Sequence, residues 1–282
     1  MVRIGIVGAG AMGSAIGGVL VAHDCEVITC LNGRSAQSHD RALRTGMAPA
    51  TIEDFASTDF VLSIVPPAQA ADVVGRLEPV FAAQHSPIFV ECNALAPATK
   101  RELESRIEIM GGRMIDGVII GHPPLAGRAG PRLYMSGGYA PEGMRLTEFG
   151  LDARLVKGPV GAAAALKMCY GGLNKGITAL TAAVMLASER AGIQDVLLEE
   201  FGISQRALLE RSRSSLPAMY PKAHRWVAEF EEIATFMKDA PTSSDVFTAI
   251  ARFFDDRSMA NAAGGEQTTL AAALDKAPSS TS

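Results

Sequence analysis

The chain has 282 residues, 48% of them hydrophobic, with a formal net charge of −4. That is enough for one large or two ordinary domains with real cores. No basic block offers a footprint for nucleic acid or an anionic membrane surface, and no apolar stretch runs the roughly 18 residues a bilayer span requires. Met1 leads straight into a strand pattern with no basic segment or cleavage site, so the expected location is the cytoplasm. Cys25, Cys30, Cys92 and Cys169 are scattered singly, without a C-x-x-C pair or a histidine at metal-ligand spacing. They read as small core residues of a reducing compartment, and no metal is expected.

In chain order, the first element is an apolar strand followed by Gly8-Ala9-Gly10-Ala11-Met12-Gly13, in G-x-G-x-x-G spacing, and a helix pattern. In that setting Gly8 makes the tight turn, Gly10 leaves room for a pyrophosphate, and Gly13 lets the helix pack on the strand with its N-terminus facing the anion. A second strand, Glu26 to Leu31, ends at Asn32-Gly33-Arg34-Ser35. NAD-binding chains place a carboxylate there for the ribose 2′-hydroxyl. Here a guanidinium and a hydroxyl could instead hold a 2′-phosphate, which favours NADP(H), with NAD(H) as the second choice. The plainer reading of Arg34 is a solvated loop charge.

Short apolar runs then alternate with helix patterns, as in a doubly wound parallel sheet of Rossmann type. Strands are expected at Phe60 to Val65, Ile88 to Cys92, Arg113 to Ile119, Arg132 to Ser136 and Arg154 to Lys157, with helices at Ala70 to Phe81 and Pro97 to Glu108. Ligands of open α/β sheets lie beyond the carboxyl ends of the strands. Val65-Pro66-Pro67 and Asn93 should therefore border the cofactor. The glycine- and proline-rich segment 121–130, with Gly121 and His122, is a substrate-loop candidate by its place on that rim.

Composition shifts at Gly158-Pro159-Val160-Gly161. The expected division is a dinucleotide-binding domain over 1–159, an all-α substrate and dimerisation domain over 160–276, and a disordered tail over 277–282. The second domain opens with an alanine-rich helix from about Ala162 to Ala191, too apolar to lie on a surface. Gly192, Gly202, Pro217, Pro221 and Pro241 divide the remainder, with Ser204 and Ser244 as N-caps. On the long helix Lys167, Tyr170, Gly171, Asn174 and Thr178 share one face. A lysine in such a helix either meets an anionic ligand, or works as an acid/base, or snorkels to water from the helix start. Tyr170 and Asn174 are the substrate-binding candidates beside it.

Together these residues resemble the β-hydroxyacid dehydrogenases, the family of 3-hydroxyisobutyrate and phosphogluconate dehydrogenases, over nearly the whole chain. Met12 stands within the family's G-x-G-x-M-G, Gly158 to Gly161 match its interdomain hinge, and Lys167 falls where its catalytic lysine falls. The resemblance implies that Lys167 is the general acid/base while hydride passes to or from the nicotinamide. Phe236-Met237-Lys238-Asp239 is similar to a Lys-Asp pair that closes over the family's site, which makes Lys238 a substrate candidate beside the plain reading of a helix-end charge. The chain departs from the pattern at Ile120, where the family has a carboxylate-holding serine. It departs again at Gly171, the family's asparagine, and at Asn93-Ala94, its Ser-Thr.

The expectation is an NADPH-preferring oxidoreductase acting on a small hydroxy acid, aldehyde or ketone. The alternatives are an imine reductase of the same architecture, whose members commonly carry another residue at the lysine position, and a non-catalytic NADP-binding sensor. A small-molecule substrate and a homodimer through the helical domain are the expected partners.

Overall fold

The first half of the chain lays eight strands into one sheet. They are β1 (Arg3–Val7), β2 (Glu26–Thr29), β3 (Ala48–Pro49), β4 (Phe60–Ser63), β5 (Ile88–Glu91), β6 (Arg113–Ile120), β7 (Arg132–Ser136) and β8 (Asp152–Leu155). Their spatial order is β3-β2-β1-β4-β5-β6-β7-β8, and every adjacent pair is parallel except β6 with β7. The computed structural model describes residues 1–124, 130–263 and 265–276. Positions 125–129 of the expected rim loop and the expected tail 277–282 lie outside them.

Alternation along the strands covers both faces of the sheet. Phe60, Leu62, Ile88, Val90 and Ile115 enter one buried cluster, while Val61, Phe89 and Met114 enter another. Burial on both faces is why the parallel strands read as continuous apolar runs. The connecting helices are α1 (Ala11–Ala22), α2 (Ala36–Arg44), α3 (Ala70–Arg76), α4 (Glu78–Phe81), α5 (Pro97–Ile109) and α6 (Ala140–Gly143). The single helix expected from Ala70 to Phe81 is two, parted at Leu77, because Pro79 has no N–H to continue the ladder. The last strand lies at Asp152–Leu155, two residues before its expected place. β3 gives no sequence signal, being two residues long and ending in a proline that only an edge tolerates.

The chain divides into two compact units, Met1–Lys167 and Met168–Ser282. Helix α7 (Ala162–Arg190) is continuous through that division, whereas the sequence expectation put the boundary after 159. The second unit continues with α8 (Gln194–Ser204), α9 (Arg206–Met219), α10 (Ala223–Phe236), α11 (Pro241–Ala263) and α12 (Glu266–Lys276). Its core holds an aromatic cluster in which Phe254 meets both Phe230 and Trp226 edge-on, at centroid distances of 5.2 and 5.1 Å. Glu266 fastens α12 by accepting from Tyr220 and Arg257.

Three expectations here are corrected. Ser204 closes α8 and donates back to the Glu200 carbonyl rather than capping the next helix. Ser244 lies inside α11, which starts at Pro241, and donates to the Ala234 carbonyl. Gly202 sits within α8. Pro241 sets the start of α11, and both serines satisfy their hydroxyls on helix carbonyls. Nor is α7 buried all round: Leu173 and Leu180 are 66% and 67% exposed, and Tyr170 and Val184 are exposed beside them.

Candidate active site at the carboxyl ends of the strands

The turn from β1 into α1 is shaped by what its glycines touch. Gly8 has φ +107°, and a Cβ there would stand 2.2 Å from the Ile64 carbonyl oxygen. The Ile64 N–H in turn donates to Val7 at 2.8 Å, so the exits of β1 and β4 run against each other. A Cβ on Gly13 would stand 2.0 Å from the Gly8 oxygen, whereas one on Gly10 would meet nothing within 4 Å. Gly10 is the N-cap of α1, no side chain caps it, and the first turn carries no acidic residue. Two glycines close the turn while the third leaves space over a helix N-terminus, an arrangement that fits a pyrophosphate. Ala9 is buried, Ala11 is exposed and Met12 is half-buried at this mouth.

After β2, Asn32 and Gly33 are exposed and Arg34 is half-buried. The Arg34 guanidinium approaches Gln69 Oε1 at 3.5 Å, a partner the sequence did not suggest. Ser35 is the N-cap of α2, its hydroxyl accepting from the Ser38 N–H at 3.3 Å. The cationic loop therefore starts a helix, and no carboxylate stands in it.

At the end of β4, Val65 is half-buried while Pro66 and Pro67 are exposed. Asn93, after β5, is 4% exposed and fully engaged. Its Oδ1 accepts from the Val65 N–H at 2.7 Å, its Nδ2 donates to Ser63 Oγ at 3.0 Å, and its own N–H donates to Glu91 Oε1 at 2.8 Å. Asn93 thus sets the shape of the rim from below. Lys167, from the second turn of α7, reaches the same rim: its Nζ donates to the Ile119 carbonyl, near the carboxyl end of β6, at 2.9 Å.

Beneath the rim lies a buried ionic cluster that the sequence reading missed. Lys100, Glu91 and Asp116 have no exposed side-chain surface. Lys100 Nζ stands 3.2 Å from Asp116 Oδ1 and 3.9 Å from Glu91 Oε1, and it donates to the carbonyls of Glu91 and Gly117. Burial pushes the Glu91 carboxyl up, opposed by the Lys100 charge. The signal was present: on α5 a lysine occupies the buried stripe that continues as Leu103 and Ile107. Burial also pushes the nearby Cys92 thiol up to about 12, which suits an inert core residue.

Gly121 and His122 open the rim loop and are both exposed. In the second unit Tyr170 is 47% exposed. Asn174 is half-buried, and both its side-chain oxygen and its carbonyl accept from Arg211. Lys238 is exposed in the turn after α10. Where a side chain would leave Gly171, the built Cβ stands 3.2 Å from Glu229 Oε1, and Glu229 is ion-paired with Lys175. Asn174 and Lys238 thus differ: one is held by the half-buried Arg211, the other is exposed. Among the described residues, no group of three or more His, Cys, Asp or Glu side chains could hold a metal ion. Nor is any described helix long and apolar enough to cross a membrane.

Residues 3–149 match the family described as the NAD binding domain of 6-phosphogluconate dehydrogenase, and residues 188–256 match a domain of unknown function, DUF1932. The chain is similar to the solved conserved protein MTH1747, of unknown function and described as structurally similar to 3-hydroxyacid dehydrogenases. Identity is 29%, the TM-score is 0.75, and the match covers 93% of this chain and 98% of that one. In fold it is also similar to the 3-hydroxyisobutyrate dehydrogenase of Mycobacterium tuberculosis, with 16% identity, a TM-score of 0.69, and coverage of 99% and 100%. An imine reductase of Streptomyces aurantiacus shares the fold at 19% identity and a TM-score of 0.59, with coverage of 97% and 99%.

Proposed function

Because the chain belongs to the family of the NAD binding domain of 6-phosphogluconate dehydrogenase, within the β-hydroxyacid dehydrogenase superfamily, and is on that ground an NAD(P)-dependent oxidoreductase, we propose a reaction for it. It transfers hydride to or from a small hydroxy acid, aldehyde or ketone, prefers NADP(H), and uses Lys167 as the general acid/base. The observation that carries this reading is the lysine ammonium held at Ile119, on the strand-end rim that also bears the glycine turn. Bound at that rim, a nicotinamide dinucleotide supplies the hydride. Lys167 holds a proton at Nζ and exchanges it with the substrate oxygen. The preference for NADP(H) rests on Arg34, which has no carboxylate in its loop and approaches the neutral Gln69.

Ile120, buried where the family places a serine, supports a second reading, in which the substrate is an imine. A panel of aldehydes, ketones, hydroxy acids and cyclic imines, read by nicotinamide absorbance, separates the two. Carbonyl-dependent oxidation of NADPH, or hydroxy-acid-dependent reduction of NADP+, is expected. Turnover of imines alone would replace the first reading, and tight binding with no oxidation anywhere would leave a sensor.

The reading extends to assembly. Leu173 and Leu180 on α7 and Val246 on α11 expose their side chains, and with Phe247 and Ile250 they border an apolar groove of about 500 Å³. Apolar area of this kind is uncommon on a monomer. The occupant proposed is the same stripe of a second copy, in an isologous pair. Sedimentation at micromolar concentration should give a dimer, and Leu173→Glu with Leu180→Glu should give a folded monomer. A monomeric wild-type protein would overturn the assignment.

A further inference from the structure

We propose that Asp116 is the positioning residue of the reaction: its carboxylate fastens the first turn of α7 to the sheet and so fixes where the Lys167 ammonium stands. This rests on the reading of Lys167 given above.

A helix begins with N–H groups that have no partner inside it, and normally the residues just before the helix cap them. The segment Gly158-Pro159-Val160-Gly161 carries no polar side chain. The caps come instead from two strands of the sheet. Asp116 Oδ2, on β6, accepts from the N–H of Gly161 at 2.9 Å and of Ala164 at 3.0 Å, across 45 and 48 residues of sequence. It also accepts from Ser136 Oγ on β7 at 2.9 Å, and that hydroxyl accepts from the Ala163 N–H at 2.9 Å. Gly161 has φ +103°, and a Cβ there would stand 3.2 Å from the Pro97 carbonyl oxygen, so this turn into the helix is kept for glycine.

Lys167 follows Ala163 and Ala164 by four and three residues, which puts it on the helix face that the anchor holds. Its Nζ donates to Ile119, three residues after Asp116 on the same strand. The helix is therefore tied to β6 twice, once by its own N–H groups and once by the lysine. Loss of the first tie frees the second to wander.

The anchor has to be an anion held from its other side. Lys100 lies 3.2 Å from Asp116 Oδ1 and 3.9 Å from Glu91 Oε1, and it donates to the Glu91 and Gly117 carbonyls. Glu91 Oε1 accepts from the Asn93 N–H, and Asn93 holds Val65. One polar network thus runs from the rim of β4 to the lysine helix. An anchor of this kind differs from a plain buried ion pair, because the helix uses the Oδ2 acceptor while the Oδ1 charge faces Lys100.

That difference makes the test. The full chain, saturated with NADPH, is acetylated with limiting acetic anhydride. Labelling of Lys167 is read by mass spectrometry against Lys157 and Lys238, both exposed. Amide exchange is followed over 161–167. Asp116→Ala should raise the relative labelling of Lys167 and the exchange of this segment by about tenfold, as expected for losing one charge-assisted hydrogen bond's worth of restraint. Asp116→Asn keeps an oxygen for the helix but turns an NH2 towards the Lys100 ammonium, and should lie between. Lys100→Met combined with Asp116→Asn removes that conflict and should return both readings to within about twofold of wild type. A merely structural pair would show no such rescue of Lys167. If Asp116→Ala does not fold, Ser136→Ala is read instead; it strips the Ala163 acceptor and one donor to Asp116 Oδ2 but leaves the Gly161 and Ala164 bonds, and a smaller rise in the same two readings is expected. Unchanged Lys167 labelling in the folded variant, or a double variant that labels like Asp116→Ala, would overturn the proposal. A wild-type protein that oxidises no NADPH would defeat the functional reading while leaving the labelling result intact.

Discussion

Lys167→Ala should retain about a thousandth of wild-type turnover while the Kd for NADPH stays within about twofold. General acid/base catalysis by a positioned side chain is worth on the order of 10²–10⁴-fold. The lysine donates to the Ile119 carbonyl at the end of β6, whereas the phosphates are expected over the α1 N-terminus, so dinucleotide affinity has no reason to follow. Lys167→Arg should fail almost as badly, since a guanidinium keeps the charge but does not give up its proton near neutrality. The two quantities are read separately, kcat by nicotinamide absorbance at saturating cofactor and Kd by fluorescence titration. Near-normal turnover in Lys167→Ala would remove this residue from the chemistry.

The second large effect separates two glycines of one motif. Gly10→Val should leave the unfolding temperature within a degree or two and weaken NADPH by about a hundredfold. Its Cβ meets nothing within 4 Å and its φ of −74° suits any residue, so the fold has nothing to lose. The added side chain fills the space over the α1 N-terminus and denies the phosphates two or so backbone hydrogen bonds. Each such bond to a charged group is worth about 1.5–3 kcal/mol. Gly13→Ala should do the reverse first: its Cβ would stand 2.0 Å from the Gly8 carbonyl, so the helix must move off the strand and stability falls by several kcal/mol, on the order seen for overpacked cores. Calorimetry for the fold and fluorescence for the cofactor give the two readings. Tight NADPH binding by Gly10→Val would mean that the open space is not a phosphate site.

How legible the molecule was in its sequence depends on whether the determining interaction is local. The glycine turn is a matter of six consecutive residues, and the parallel strands announce themselves because helices bury both their faces. Lys167 stands out in the sequence because a lysine in an alanine-rich helix contradicts its surroundings, and the fold brings it to the end of β6. Ser204 and Ser244 misled for the complementary reason: a serine before an apolar run caps a helix only if the chain actually turns there, and both instead donate to carbonyls of helical neighbours. The cluster of Glu91, Lys100 and Asp116 was unreadable from spacing, because its members come from two strands and a helix that only the folded sheet brings within 4 Å. Arg211 on Asn174, and Glu229 beside Gly171, are hidden in the same way by long sequence separations. Which residues of α7 are exposed could not be read in advance, because apolar composition says that a helix is largely covered but not along which stripe.

The most direct test of the account uses NADPH deuterated at the transferable C4 position, in a single turnover with the carbonyl panel, for wild type and Lys167→Ala side by side. Deuterium bonded to the former carbonyl carbon of the alcohol formed by wild type, with transfer slowed about a thousandfold in the variant at equal cofactor occupancy, is the predicted result. Equal transfer by both proteins, or bound NADPH that keeps all its deuterium with every carbonyl offered, would contradict it.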